Sequence, residues 1–79
     1  MPKLKETDTQ KRQKQLTGNI RCLLIRKGMK DEQIFKTAPF GRSTYYARMQ
    51  HPDDFSISEL VFIAKRLNVS IYELLHGIQ

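Results

Sequence analysis

Residues 38–50 read A-P-F-G-R-S-T-Y-Y-A-R-M-Q, and this stretch decides the fold. Pro39 stops a preceding helix and Gly41 permits a tight turn, so the stretch predicts two short helices that meet at a steep angle. In the helix after the turn, Tyr45 and Met49 lie four residues apart and share one face, which is predicted to be buried. The opposite face carries Arg42, Ser43, Tyr46, Ala47 and Gln50.

A repeated local pattern marks the starts of four helices. One apolar residue stands directly before the cap position and a second lies four residues beyond the cap, which is the arrangement of a hydrophobic staple. In the clearest copy, Ser56 and Glu59 also form the two ends of a capping box. The four staples pair Met29 with Ile34, Phe40 with Tyr45, Phe55 with Leu60, and Val69 with Leu74.

An apolar repeat at helical spacing begins at Leu16 and ends before Gly28, a residue type that commonly terminates helices. Together with the four staples, this repeat predicts a compact all-α domain of five helices. The helices are expected near residues 16–27, 31–37, 42–50, 57–67 and 71–76.

Helical spacing also selects the expected core. The single cysteine, Cys22, lies within the first predicted helix and is expected to be buried there as a small apolar residue. The remaining core residues are predicted to be Ile20, Leu23, Leu24, Ile34, Phe35, Ala38, Tyr45, Met49, Leu60, Ile63, Ala64, Leu67, Val69, Ile71 and Leu74.

Residues 1–15 are polar and rich in lysine, with almost no apolar anchors. They form either a flexible basic arm or an extension of the first helix, for which Thr7, Asp8 or Thr9 offers a cap. A flexible arm would either bind along the phosphates of a nucleic acid or remain a solvated tail. We therefore divide the chain into residues 1–15 and a helical domain at residues 16–79.

The formal net charge is +6, and the basic residues are unevenly placed. Twelve of the fourteen lysines and arginines lie in the first fifty residues, with only four of the eight acidic residues. This excess favours a polyanionic partner over an acidic small substrate. The helix at 42–50 has suitable chemistry, because arginine, glutamine and serine pair with base edges and alanine packs against a thymine methyl. We therefore expect this helix to enter the major groove of double-stranded DNA.

Two segments resemble a known family of DNA-binding domains. The first is G-R-S-T-Y-Y-A-R-M-Q-H-P-D-D-F-S at residues 41–56, and the second is S-E-L-V-F-I-A-K-R-L-N-V-S-I-Y-E-L-L at residues 58–75. They make the chain between Asn19 and Leu75 resemble the lambda-repressor-like helix-turn-helix family of Cro and repressor type. The resemblance implies a sequence-specific transcriptional regulator, and we expect a phage or mobile-element repressor that binds its operator as a homodimer.

The resemblance also implies that the start of the recognition helix contacts bases or phosphates, and that positions one and two turns later face the DNA. Lys30 and Arg48 are expected to flank this surface and contact phosphates. Asp31 stands where the family commonly has a phosphate-binding glutamine. Phe35 and Pro39 stand where the family usually has alanine and glycine, so the angle between the second and third helices could differ from that of the family. The candidate DNA-binding residues are Lys30, Arg42, Ser43, Thr44, Tyr46, Ala47, Arg48 and Gln50.

Structural alternatives apply to several of these residues. Tyr46 could pack instead of facing DNA, Arg42 and Arg48 could be solvated surface charges, and Gln50 could only end the helix. The basic residues of the first helix are expected on a solvated face more than on a contact surface. Apolar residues left over near the C-terminus are the candidate dimer surface, namely Ile71, Tyr72, Leu75 and Ile78.

Catalytic, metal and cofactor sites are not expected. The sequence has no glycine-rich phosphate loop, no His-Glu-x-x-His pattern and no nucleophile elbow. Adjacent Asp53 and Asp54 suit a turn more than acid–base chemistry. No apolar run reaches the length of a membrane span, so we expect a cytoplasmic protein with no membrane partner. The alternative function is an antitoxin-type interaction module that represses its own operon, with a toxin or antirepressor as its protein partner.

Overall fold

Five α-helices make up the fold in the computed structural model, which describes residues 7–78. They are α1 (Asp8–Lys27), α2 (Asp31–Phe35), α3 (Arg42–Gln50), α4 (Ile57–Leu67) and α5 (Ile71–Leu74), and a 3-10 turn at Pro52–Asp54 separates α3 from α4. Residues 7–78 contain no strand, so the all-α prediction is confirmed. None of these helices is long and apolar enough to cross a membrane. The prediction of a basic arm at residues 1–6 lies outside the described residues.

The start of α1 differs from the sequence prediction, because the helix begins at Asp8 and not near residue 16. For residues 8–15 the helix extension is therefore the correct alternative. The Thr7 hydroxyl accepts a hydrogen bond from the Gln10 amide at 3.1 Å, and the Gln10 side-chain oxygen accepts one from the Thr7 amide at 3.0 Å. This capping box satisfies two backbone groups that a helix end otherwise leaves without partners.

The remaining helix ends follow the turn residues. The bounds of α3 and α4 match the prediction, whereas α2 ends at Phe35 and α5 at Leu74, two residues earlier than expected. A proline disfavours helical backbone in the residue before it, so Pro39 sets an outer limit for α2 before Ala38, and the helix ends short of that limit. After α5, Gly77 takes a φ of 78°, a conformation that a right-handed helix does not contain.

The cap positions of α2 to α5 are the ones that the staples predict: Lys30, Gly41, Ser56 and Ser70. At the start of α5, the Ser70 hydroxyl accepts from the Glu73 amide at 3.3 Å. At the start of α2, where lysine cannot accept a hydrogen bond, the Gln33 side chain instead accepts from the Lys30 amide at 2.8 Å. Local side-chain hydrogen bonds thus accompany the starts of α2, α4 and α5, whereas the Gly41 cap of α3 makes none.

Replacing Ser56 with alanine is expected to lower the free energy of unfolding by about 1 kcal/mol. The Ser56 hydroxyl accepts from the Glu59 amide at 3.1 Å, and the Glu59 carboxylate accepts from the Ser56 amide at 2.8 Å. Urea unfolding followed by circular dichroism measures the change. Ser58→Ala is the matched control, because Ser58 is exposed and lies inside the same helix. Equal losses in the two variants would contradict the capping role.

The core is formed by one face of α1 and residues from every other helix. Several residues expected in the core are only half-buried, because helical spacing gives the inward face but not the depth of each side chain. They are Phe35, Ala38, Leu60, Val69 and Ile71. The buried apolar residues are Leu16, Ile20, Leu23, Leu24, Ile34, Tyr45, Met49, Ile63, Ala64, Leu67 and Leu74.

Cys22 is exposed, so the prediction of a buried thiol is wrong. The buried stripe of α1 passes through Leu16, Ile20, Leu23 and Leu24. At about 3.6 residues per turn, Cys22 falls on the side of the helix away from this stripe. Its position beside buried leucines in sequence therefore does not place it beside them in space.

Polar contacts hold α1 against the rest of the fold at two places. The Arg12 guanidinium donates two hydrogen bonds to the Asp53 carboxylate in the 3-10 turn, at 2.7 and 3.2 Å. The Asn19 side chain donates to the carbonyls of Leu74 and His76 at the end of α5, at 2.9 and 2.7 Å. The extended first helix is thereby tied to the segment after α3 and to the C-terminal helix.

The carboxyl of Asp53 is expected to titrate below the ordinary pKa of an aspartate. The hydrogen bond from Arg12, assisted by its charge, lowers the pKa of Asp53 against a smaller opposing effect of burial. The ion pair therefore stabilises the fold above about pH 4, and this contribution is lost as the pH falls through the lower folded-state pKa. Carbon-detected NMR titration measures the pKa. An Asp53 pKa that stays unchanged in Arg12→Gln would contradict this assignment.

Candidate nucleic-acid interface

The candidate interface is the outward face of α3. Tyr45 and Met49 lie in the core as predicted, at 0% and 8% exposure, so the opposite side of the helix faces solvent. No acidic residue occurs in this helix. Five of the predicted contact residues are exposed on it together: Arg42, Ser43, Tyr46, Ala47 and Gln50.

The orientation of α3 is set by Tyr45. Its hydroxyl donates a hydrogen bond to the Asp31 carboxylate at the start of α2, at 2.7 Å, and its ring lies 5.7 Å from the Phe35 ring at the end of α2. Burial, together with the hydrogen bond to Asp31, raises the pKa of Tyr45 well above its ordinary value. The hydroxyl therefore stays protonated and remains a donor. Its hydrogen bond attaches α3 to the start of α2, and the ring contact attaches α3 to the end of α2.

Asp31 has a structural partner at the position where the resemblance implies a phosphate-binding glutamine. Its carboxylate accepts from Tyr45, and the residue is half-buried at the first position of α2. A carboxylate there would repel a phosphate, and through the hydrogen bond from Tyr45 it helps to orient α3. Phe35 contributes to the same arrangement because its ring packs against both Tyr45 and Tyr46.

Tyr46 packs against neighbouring rings and also faces solvent. Its ring lies 5.4 Å from the Tyr45 ring and 5.7 Å from the Phe35 ring, yet the residue remains 41% exposed. The Arg42 guanidinium carbon lies 5.9 Å from the centre of the Tyr46 ring, within the range of a cation–π contact. Tyr46 therefore supports the arginine one turn earlier on the exposed face.

Arg48 and Thr44 lie at the edges of this face and are half-buried. The Arg48 guanidinium donates to the Glu59 carboxylate at 3.3 Å, which ties the end of α3 to the start of α4. Burial acts to raise the pKa of Glu59, but hydrogen bonds from the Ser56 amide and Arg48 outweigh it and lower the pKa. Glu59 is therefore charged at neutral pH, and a phosphate at Arg48 would share the guanidinium with it.

Lys30 is exposed at the cap of α2, and it lines a surface cleft that also reaches α1 and α3. Arg21 and Tyr46 line the same cleft, so the structure brings a basic residue of α1 next to the candidate face. The sequence favoured a solvated surface for Arg21, because no local pattern reveals which helix lies beside α1. The other lining residues are Leu24, Ile25, Met29, Asp31 and Glu32.

The exposed face of α3 offers the donors and acceptors that pair with base edges. Arginine suits guanine, glutamine suits adenine, serine suits several bases, and alanine suits the thymine methyl. Lys30 and Arg21 lie beside this face, in a cleft that also holds the acidic residues Asp31 and Glu32. Comparison with protein families, with curated proteins and with solved structures finds no match to this chain.

Proposed function

We propose that this chain is a sequence-specific DNA-binding transcriptional regulator with a lambda-repressor-like helix-turn-helix formed by α2 and α3. The observation that carries the proposal is the division of α3 into two faces. Tyr45 and Met49 anchor the helix in the core, and the face opposite them is free of acidic side chains and presents base-pairing groups. The resemblance in sequence to Cro and repressor domains points to the same function.

The dimensions of α3 suit a major groove. Its nine residues extend for about 13 Å, and an α-helix fits the groove width of about 12 Å. Arg42 and Ser43 lie in the first turn, where recognition helices contact base edges, and Gln50 lies at the far end. In this arrangement the outward face selects the site, while exposed lysines and arginines contribute affinity through phosphates.

A single domain of this size covers a limited length of DNA, which favours a homodimer on a two-fold operator with half-sites about one helical turn apart. Exposed apolar residues on and after α5 supply a surface for the second copy: Tyr72 is 83% exposed and Leu75 is partly exposed. We place the protein in the cytoplasm of a bacterium, as a phage or mobile-element repressor that acts by occupying its operator.

Selection from randomised DNA duplexes at near-physiological salt, followed by sequencing of the retained pool, tests the proposal. An enriched two-fold motif is the expected result, and the separation of its half-sites reports the dimer. Binding that vanishes with salt and yields no motif would overturn it, since basic charge alone gives only non-specific binding. An antitoxin-type interaction module, detected by co-purification with a second small protein, would then account for the fold.

A further inference from the structure

The outer side of α1 carries a straight line of residues that the fold leaves exposed. Lys11, Lys14, Gly18, Arg21 and Ile25 recur at alternating spacings of three and four residues, so they share one face of the helix. All five are exposed. Three of them are basic and none is acidic. From Lys11 to Arg21 the helix rises about 15 Å.

This line is held in place and does not belong to a frayed end. On one side of it, Asn19 bonds to the end of α5, and Gln15 donates to the carbonyl of His76 at 3.1 Å. At the same end of α1, Arg12 bonds to Asp53 in the turn that follows α3. The helix that carries the basic residues therefore has a fixed position relative to α3, and ordering them on a ligand costs little extra backbone entropy.

The line reaches the candidate interface at Arg21. Arg21 shares a cleft with Lys30 and with Tyr46, over whose ring the Arg42 guanidinium lies. Basic groups therefore continue from α1 to the exposed face of α3. Two acidic residues, Asp31 and Glu32, also line the cleft, and the hydrogen bond that Asp31 accepts from the Tyr45 hydroxyl leaves its negative charge in place.

We propose that Lys11, Lys14 and Arg21 form a ridge that binds the phosphates of DNA beside the groove occupied by α3. The inference rests on the proposed DNA-binding function and adds a second contact surface to it. Each strand carries one phosphate per about 3.4 Å of axis, so a line of about 15 Å passes several of them. The ridge contributes affinity and salt dependence, and it leaves the choice of sequence to α3.

The test compares two variants that lose the same charge. The ridge variant carries Lys11→Gln and Arg21→Gln, and the control carries Arg26→Gln and Lys65→Gln. Arg26 lines the cleft between α1 and α5, and Lys65 is exposed on α4. All four side chains are exposed and glutamine is a good helix former, so both variants are expected to fold. Thermal unfolding by circular dichroism verifies this.

Affinity is then measured from about 50 to 300 mM salt, both for the duplex that the wild-type protein selects and for a scrambled duplex. The ridge variant is expected to lose on the order of tenfold in affinity on both duplexes, and its salt slope to fall by about 2, because each lost phosphate contact removes about 0.9. The control is expected to keep the wild-type slope.

A ridge variant whose slope equals that of the control would overturn the ridge and leave the DNA-binding function standing. A wild-type protein that retains no motif at all would overturn the proposed function itself, and the ridge with it. A loss confined to the selected duplex would also overturn the ridge, since phosphate contacts act equally on both sequences.

Discussion

Replacing Tyr45 with alanine is expected to unfold most of the protein at room temperature. The ring is fully buried and packs against Phe35 and Tyr46, so its removal leaves a large cavity and costs about 3 to 5 kcal/mol. A core in a domain of fewer than about 80 residues rarely supplies more than about 3 to 5 kcal/mol of stability. The substitution therefore removes most of the margin that keeps the domain folded.

The adjacent Tyr46 gives a matched control, because it is the same residue type one position along the same helix. At 41% exposure it contributes less to the core, so Tyr46→Ala is expected to remain folded. Urea unfolding and far-ultraviolet circular dichroism compare the two variants. A cooperative transition for Tyr45→Ala near that of the wild-type protein would contradict the assignment of Tyr45 to the core.

Tyr45→Phe separates the hydroxyl from the ring. It keeps the packing and removes the hydrogen bond to Asp31, so a loss of about 1 kcal/mol is expected. In this variant α3 loses its polar attachment to the first residue of α2. A loss as large as that of Tyr45→Ala would mean that the hydroxyl, and not the ring, supports this part of the fold.

The parts of the fold that the sequence predicts well depend on contacts between near neighbours. The staples and caps at Gly41 and Ser56 involve residues three to five positions apart, and the bounds of α3 and α4 follow from them. The apolar repeat begins only at Leu16, so by itself it does not mark the start of α1 at Asp8. The signal that identifies it is the polar pair Thr7 and Gln10, whose spacing is that of a capping box.

Contacts between distant residues account for what the sequence could not reveal. Arg12 and Asp53 are 41 positions apart, and Asn19 and Leu74 are 55 positions apart, so no local pattern connects them. The candidate face of α3 follows from spacing alone, since burial of Tyr45 fixes which side is outward. The position of Arg21 beside that face does not follow from spacing, because it depends on how α1 lies against α2 and α3.

Replacing Arg42 with alanine is expected to weaken binding to the selected operator by about 5- to 150-fold, which corresponds to about 1 to 3 kcal/mol. The guanidinium is exposed in the first turn of α3, and the Tyr46 ring beneath it limits the directions in which it can point. An arginine held in this way can donate two parallel hydrogen bonds to a guanine. Repeating the duplex selection with Arg42→Ala should show one base position per half-site relaxed.

Arg42→Lys distinguishes base contact from charge, because lysine keeps the positive charge and lacks the planar fork. If Arg42 contacts a base, Arg42→Lys loses the preference at the same position as Arg42→Ala while keeping the wild-type salt slope. If Arg42 instead contacts a phosphate, Arg42→Ala weakens binding equally on selected and scrambled duplexes and Arg42→Lys restores most of it. Arg48→Ala serves as the comparison within α3. Because the Arg48 guanidinium is bonded to Glu59, this variant is expected to leave every base preference in place.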